Sequence, residues 1–203
     1  MLDTISQKQL LCEYITGFSP GEALPAPFIL FIETNNGDSL WRRSNVTGHL
    51  TASALITDRR MEKFLLLHHR GLEKWLQPGG HIEPQDRSLL DAAMRETEEE
   101  TGLERRDYDV MSTAEGIYIA DLDSHIIPSN PFKAEPEHFH HDVRFLFRLK
   151  HDGARIFTDP LESGGYKWVS PADFPGYFNI RNLVRRLRIY DRVSDIDRTE
   201  SYR

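Results

Sequence analysis

The sequence predicts a layered α+β domain of the αβα kind. Three observations lead there. A helical segment from about Arg87 to Thr101 stands among stretches with strand texture, those stretches recur on both sides of it, and a basic amphipathic helix follows late in the chain.

The first elements are helical. Ile5, Leu10, Leu11, Tyr14 and Ile15 fall at loosely helical spacing between Asp3 and Thr16, until Ser19-Pro20-Gly21 breaks the pattern. A second short helix is predicted from Pro25 to Thr34, ended by Asn35-Asn36-Gly37-Asp38. Residues 1–46 therefore read as a helical extension rather than a domain of their own. From Gly48 the texture changes. His49 to Thr57 reads as a strand, Asp58-Arg59-Arg60 as a turn and Phe64 to His68 as the strand's partner. Pro78-Gly79-Gly80 punctuates the chain before the helix, and Gly102 stands where a C-cap glycine belongs. Further strands are predicted at Gly116 to Ile127, His140 to Leu149 and Tyr166 to Val169. Phe178 to Tyr190 reads as a basic helix with a polar tail behind it. The division expected is an arm (1–46), a central domain (47–178) and a C-terminal helix with its tail (179–203).

Composition narrows the function classes. At 203 residues and 39% hydrophobic, the chain suits one folded domain with modest extensions. Its longest apolar run, Phe28 to Ile32, is far short of the roughly 20 residues that span a bilayer. No basic-then-apolar leader opens the sequence, and the lone Cys12 fits a reducing compartment, so the cytoplasm is expected. A net charge of −7 weighs against nucleic acid as a partner. It also means that a phosphorylated substrate needs cations to approach. The apolar Phe28-Ile29-Leu30-Phe31-Ile32 and the arm are candidates for a homodimer contact.

The segment Arg95-Glu96-Thr97-Glu98-Glu99-Glu100-Thr101-Gly102-Leu103 is the most informative. On a helix Glu96, Glu99 and Glu100 share one face, while Leu90, Ala93, Met94, Thr97 and Thr101 form the face that packs on a sheet. Glu98 projects away from the trio. Three carboxylates at i, i+3 and i+4 repel one another, and a hard divalent cation relieves that repulsion. Arg95, one turn before Glu99, can orient a carboxylate. Spacing alone equally describes the wet side of an ordinary helix.

The surrounding residues resemble the signature of the Nudix family, G-x5-E-x7-R-E-U-x-E-E-x-G-U, with U apolar. Gly80 opens it, and Arg95-Glu96, Glu99-Glu100, Gly102 and Leu103 fill its second half. Two departures are visible. The early glutamate position holds Asp86, separated from Arg95 by one residue more than the signature allows, and Thr97 stands at an apolar position. The extra residue is expected to lengthen the loop ahead of the helix; Glu83 rivals Asp86 for the early role. The resemblance runs from about Thr47 to Phe174. It implies an αβα sandwich with a mixed sheet, in which a loop-helix-loop holds Mg²⁺ or Mn²⁺, and hydrolysis of a nucleoside diphosphate linked to another moiety. Carried onto this chain, Glu96, Glu99 and Glu100 are metal ligands and Arg95 orients them. Family members also place an acidic residue before a late Trp-containing strand, a place matched by Glu162 ahead of Trp168. Glu162 or Glu99 is the expected general base.

Nine histidines invite a second metal reading. His138, His140, Asp142 and Arg144 alternate, so an extended chain puts them on one face, with Phe139, Val143, Phe145 and Phe147 opposite. Zinc on His138, His140 and Asp142 is one reading. A polar face in which Arg144 and His140 reach phosphate or sugar is the other, preferred because neighbours on one strand rarely complete a tetrahedral set. Arg70, before the Gly79-Gly80 turn, is a further phosphate candidate, set against a solvated loop charge. Tyr118 lies about where one subgroup of the family has a tyrosine, although one strand aromatic is usually packing.

Two other classes compete with the hydrolase. An isomerase of this fold relies on a catalytic cysteine, which Cys12, far upstream in the arm, does not supply. A regulator that keeps the fold without catalysis has eroded box carboxylates, whereas here they stand.

Overall fold

The computed structural model describes residues 4–16, 24–112, 116, 118–131, 135–160 and 163–174. Two helices come first, α1 (Thr4–Thr16) and α2 (Ala26–Thr34), then a 3-10 turn at Gly37–Leu40. The strands β1 (Gly48–Thr57), β2 (Phe64–His69), β3 (Lys74–Leu76) and β4 (Gly79–His81) lead to helix α3 (Leu89–Thr101). Strands β5 (Tyr108–Val110), β6 (Ile119–Ile127), β7 (His138–Leu149) and β8 (Ser163–Val169) complete the described elements. The predicted helix at Phe178 to Tyr190, and with it the 178/179 boundary, lies outside the described residues. No described helix is long and apolar enough to cross a membrane.

The centre of the sheet is the parallel pair β1–β7, in register from Gly48 opposite Phe139 to Thr57 opposite Arg148. All ten residues of β1 are buried, the polar His49, Thr51, Ser53 and Thr57 among them. The outer edge of β7 is shared by β6 and then β5, both antiparallel to it. On the other side β4 pairs with β1 at Thr51 to Ser53, and β2, which meets β1 at Thr57, carries β3 and β8. The sheet is therefore mixed.

The two faces of the central pair differ in chemistry. Leu50, Ala52, Ala54, Ile56, Val143, Phe145 and Phe147 point into one apolar cluster with residues of all three helices. The opposite face is apolar only at one end, where Leu55 and Leu146 meet Phe64, Leu66 and Val169. At its other end that face carries His49, Thr51 and Ser53 beside His140, Asp142 and Arg144.

Local signals set the limits of α3. Ser88 caps it by accepting a hydrogen bond from the Asp91 amide at 3.0 Å. Gly102 ends it in the left-handed region (φ 69°), its N–H donating to the Glu98 carbonyl. The buried stripe is Leu89, Ala92, Ala93, Thr97 and Thr101, with Leu90 and Met94 only partly covered. Ala93, Thr97 and Thr101 are as predicted, while Leu89 and Ala92 are buried more fully than the predicted Leu90 and Met94. Thr97 and Thr101 tolerate burial because their hydroxyls donate to the carbonyls one turn back, at 2.8 and 2.5 Å.

The N-terminal arm is part of the same core. Leu11, Tyr14, Phe28, Phe31 and Ile32 belong to the main apolar cluster, and Gln7 accepts a hydrogen bond from the first amide of α3. Most of the apolar run that was a candidate for a dimer contact is therefore used within the chain. Phe28, Phe31 and Ile32 are consumed inside the chain, leaving Leu30 as the large exposed apolar residue of that run.

Candidate active site

The Gly79-Gly80 segment, expected as a turn, is a three-residue strand that lies against β1 and the acidic helix. A Cβ on Gly80 would stand 2.5 Å from Glu96 Oε1, so only glycine allows this approach. The neighbouring Gly79 amide donates to Glu100 Oε2 at 3.0 Å. Two glycines thus seat two of the three glutamates.

Arg95 organises the rest. Its Nε and Nη2 donate to the two oxygens of Asp86, each at 3.1 Å. Nη1 donates to Glu96 (3.0 Å) and Glu99 (2.9 Å), and Nη2 also donates to the His81 carbonyl (2.8 Å). Burial works against this cation, but its bonds to Asp86 and Glu96 push its pKa up. Glu96 is held above the usual carboxylate range by burial, against the pull of Arg95, with Glu99 and Glu83 adding repulsion. A cation would relieve that repulsion, and the donors are all oxygens, so the set fits a hard divalent ion. The three carboxylates do not converge on one point. Among the described residues, the group of donors lying within 4.8 Å of one another is His49, His138 and His140.

The competition between Asp86 and Glu83 has a physical outcome. Asp86 is buried and paired with Arg95, and its Oδ2 also accepts from the Glu83 amide at 2.7 Å. Glu83 stays exposed near Glu96. The loop between β4 and α3, residues 82–88, holds both acidic residues ahead of the helix.

A cleft of about 340 Å³ opens beside this cluster, with Arg70, Gln77, Gly79, Glu100, Asp159 and Ser163 among its walls. Arg70 is oriented by donating to the Ser163 carbonyl at 3.2 Å. Of the three residues expected to contact substrate, only Arg70 lines the cleft. Arg144 corrects the expectation: it is buried, with its guanidinium donating to Asp121, Asp123 and Asp142 at 2.8 to 3.1 Å. Burial opposes its charge, but the three carboxylates hold its pKa up. Asp121 is pushed up to about 7, mainly by burial, against the pull of Arg144. Asp142 also accepts from Thr51, Ser53 and Gln77. It is thereby withdrawn from the zinc set considered with His138 and His140.

His140 lies within a histidine cluster. Its ring stands 4.8 to 5.7 Å from those of His49, His81, His125 and His138. Burial, then repulsion among these rings, lowers His140 to about 2 and His49 to about 3. His49 escaped the sequence reading because it joins the cluster through the parallel β1–β7 register, which no local pattern reveals. Glu162 lies outside the described residues. Tyr118 is exposed rather than packed.

The chain is similar to several known proteins. A protein of Bacillus subtilis (strain 168), provisionally named an 8-oxo-dGTP diphosphatase, is 29% identical over 126 residues, which are 62% of this chain and 69% of that protein. A C. elegans Ap4A hydrolase in a binary complex superposes with a TM-score of 0.51 at 20% identity, covering 70% of this chain and 96% of the other. An E. coli dihydroneopterin triphosphate pyrophosphohydrolase gives 0.50 at 17% identity, covering 68% and 88%. These two likenesses are of fold. The family model for the NUDIX domain matches residues 47–187, well over half of the sequence. The chain belongs to the NUDIX domain family.

Proposed function

We propose that this protein is a divalent-metal-dependent pyrophosphohydrolase that cleaves the diphosphate linkage of a small nucleoside diphosphate derivative. The carrying observation is Arg95, which joins Glu96 and Glu99 through one nitrogen while Glu100, on the same helical turn, faces a cleft. Mg²⁺ or Mn²⁺ held by Glu96, Glu99 and Glu100 would neutralise diphosphate oxygens and lower the pKa of a bound water. Arg95, anchored on Asp86, keeps the glutamates aimed. Arg70, which lines the same cleft as Glu100, is the cation that would meet the phosphate chain. Glu99 has a side chain 58% exposed and so can take a proton from water; Glu162 remains the rival base. His140 and Arg144 are left out of the substrate contacts because their neighbours in the fold already occupy them. The relative's name supports a purine nucleoside triphosphate as the first substrate to try.

The alternative, a regulator that binds nucleotides without turnover, is disfavoured by the intact carboxylates. The test is phosphate or pyrophosphate release from a mixed nucleotide panel with Mg²⁺ or Mn²⁺, with and without chelator. Chelator-sensitive release is expected. Metal and nucleotide binding without release across the whole panel would overturn the enzyme reading.

A further inference from the structure

The buried polar end of the β1–β7 face has an unmet requirement. His49 is 1% exposed, and neither of its ring nitrogens has a hydrogen-bond partner. An imidazole carries one N–H and one lone pair, both costly to bury unpaired. Around it stand His138 and His140 of β7, with one nitrogen from each of the three rings lying within 4.8 Å of the others. Neighbouring parallel strands supply these rings, with His49 directly opposite His140 and with His138 paired to Ile127 of β6.

We infer that His49, His138 and His140 form a binding site for an imidazole-preferring transition metal, Zn²⁺ above all, separate from the carboxylates of α3. The donor chemistry separates the two sites. Oxygen sets favour Mg²⁺ and Mn²⁺, whereas neutral imidazoles favour Zn²⁺ and its neighbours. The second shell is also in place. His138 Nδ1 donates to the Pro136 carbonyl at 2.8 Å, which leaves its Nε2 lone pair for a metal. His125 Nδ1 pairs with Asp123 Oδ2 at 3.0 Å in the same manner, its ring 5.7 Å from that of His140. His125, His81 or a water can therefore complete four-coordination. Zinc at about 2.0–2.1 Å from each nitrogen requires the rings to close by roughly 1 Å. The site lies beside the box, since the His81 carbonyl accepts from Arg95. A bound ion would pin β1 to β7 where β4 and the acidic helix are seated. None of this depends on the proposed hydrolysis.

The test is made on the full chain, stripped with chelator, reloaded with Zn²⁺ in excess Mg²⁺ and desalted. Elemental analysis should find one zinc per chain, and X-ray absorption should report a nitrogen-dominated first shell at about 2.0 Å. Co²⁺ in its place should give the intense visible bands of a four-coordinate site. H140Q should lose the ion, while E99Q/E100Q should keep it. H49Q is the stricter variant, and where its burial prevents folding, H140Q and the cobalt spectrum of the unmodified chain decide. No retained zinc, or zinc in an all-oxygen shell that E99Q/E100Q abolishes, would overturn the site.

Discussion

Arg95 grips Asp86 in a two-pronged ion pair, Nε to Oδ1 and Nη2 to Oδ2, both 3.1 Å, with the two side chains only 16% and 4% exposed. This pair anchors the guanidinium that holds Glu96 and Glu99. Asp86→Ala removes two of the guanidinium's bonds while those to Glu96, Glu99 and the His81 carbonyl remain, so a loss of roughly 1–3 kcal/mol in unfolding free energy is expected. Metal affinity should fall about 10–100-fold, because an orienting partner is lost. Urea unfolding and metal titration measure the two effects separately. Unchanged affinity in a folded variant would remove Asp86 from the site.

Gly80→Ala tests the close approach of β4 to the helix. The added methyl collides with the Glu96 carboxylate, which is the end of a flexible side chain and can swing aside. Stability should therefore change little, within about 1 kcal/mol, while metal affinity drops about 10-fold or more. Equal metal titrations for variant and parent would show that Glu96 is not a ligand.

His141 makes folding pH-dependent through the arm. Its ring stacks on Phe31 at 4.2 Å between centroids, and burial lowers its pKa from 6.5 to about 4, with a further push from His125. The unfolded chain takes up this proton below about 6.5 and the folded chain does not, so stability is lost as pH falls through that window. His141→Phe should remove about 1.4 kcal/mol per pH unit from the slope between about pH 6 and 4.5. Chemical denaturation across pH, with chelator present, reads the difference. Identical slopes would show that His141 is not the group that takes up a proton on unfolding.

Arg144→Met leaves Asp121, Asp123 and Asp142 without their shared cation. A loss of roughly 3–5 kcal/mol is expected at neutral pH. The sign of the pH effect is opposite to that of His141. Without the guanidinium the buried Asp121 loses the pull that lowers it and holds its proton in the fold still further above its unfolded pKa, so the variant should recover stability as pH falls toward about 4. Asp121 already sits near 7 with Arg144 present, which points the same way. A deficit that stays constant with pH would mean that packing, not charge, is what Arg144 supplies.

Much of the fold was legible because its signals are local. Ser88 and Gly102 cap α3 within their own turns, and β1 and β7 are long enough for their patterns to show. The strands β3, β4 and β5 escaped prediction because three residues carry no period, and Gly79-Gly80 reads as a turn whenever its pairing with β1 is unseen. In the site, helical spacing brought Glu96, Glu99 and Glu100 to one face without tertiary information. The choice of Asp86 over Glu83 as the partner of Arg95 depended on loop geometry. Asp142 and Arg144 were placed on the polar face by strand alternation, yet alternation could not reveal that Asp121 and Asp123 of β6 already hold the arginine.

In the proposed mechanism, carboxylates on one turn of α3 hold a catalytic divalent ion beside the cleft. The most direct measurement is calorimetric Mg²⁺ titration of E99Q/E100Q, paired with its turnover of any nucleotide the parent hydrolyses. Both should disappear while the circular dichroism spectrum and urea midpoint stay close to those of the parent. A folded double variant that binds Mg²⁺ and turns over normally would contradict the account.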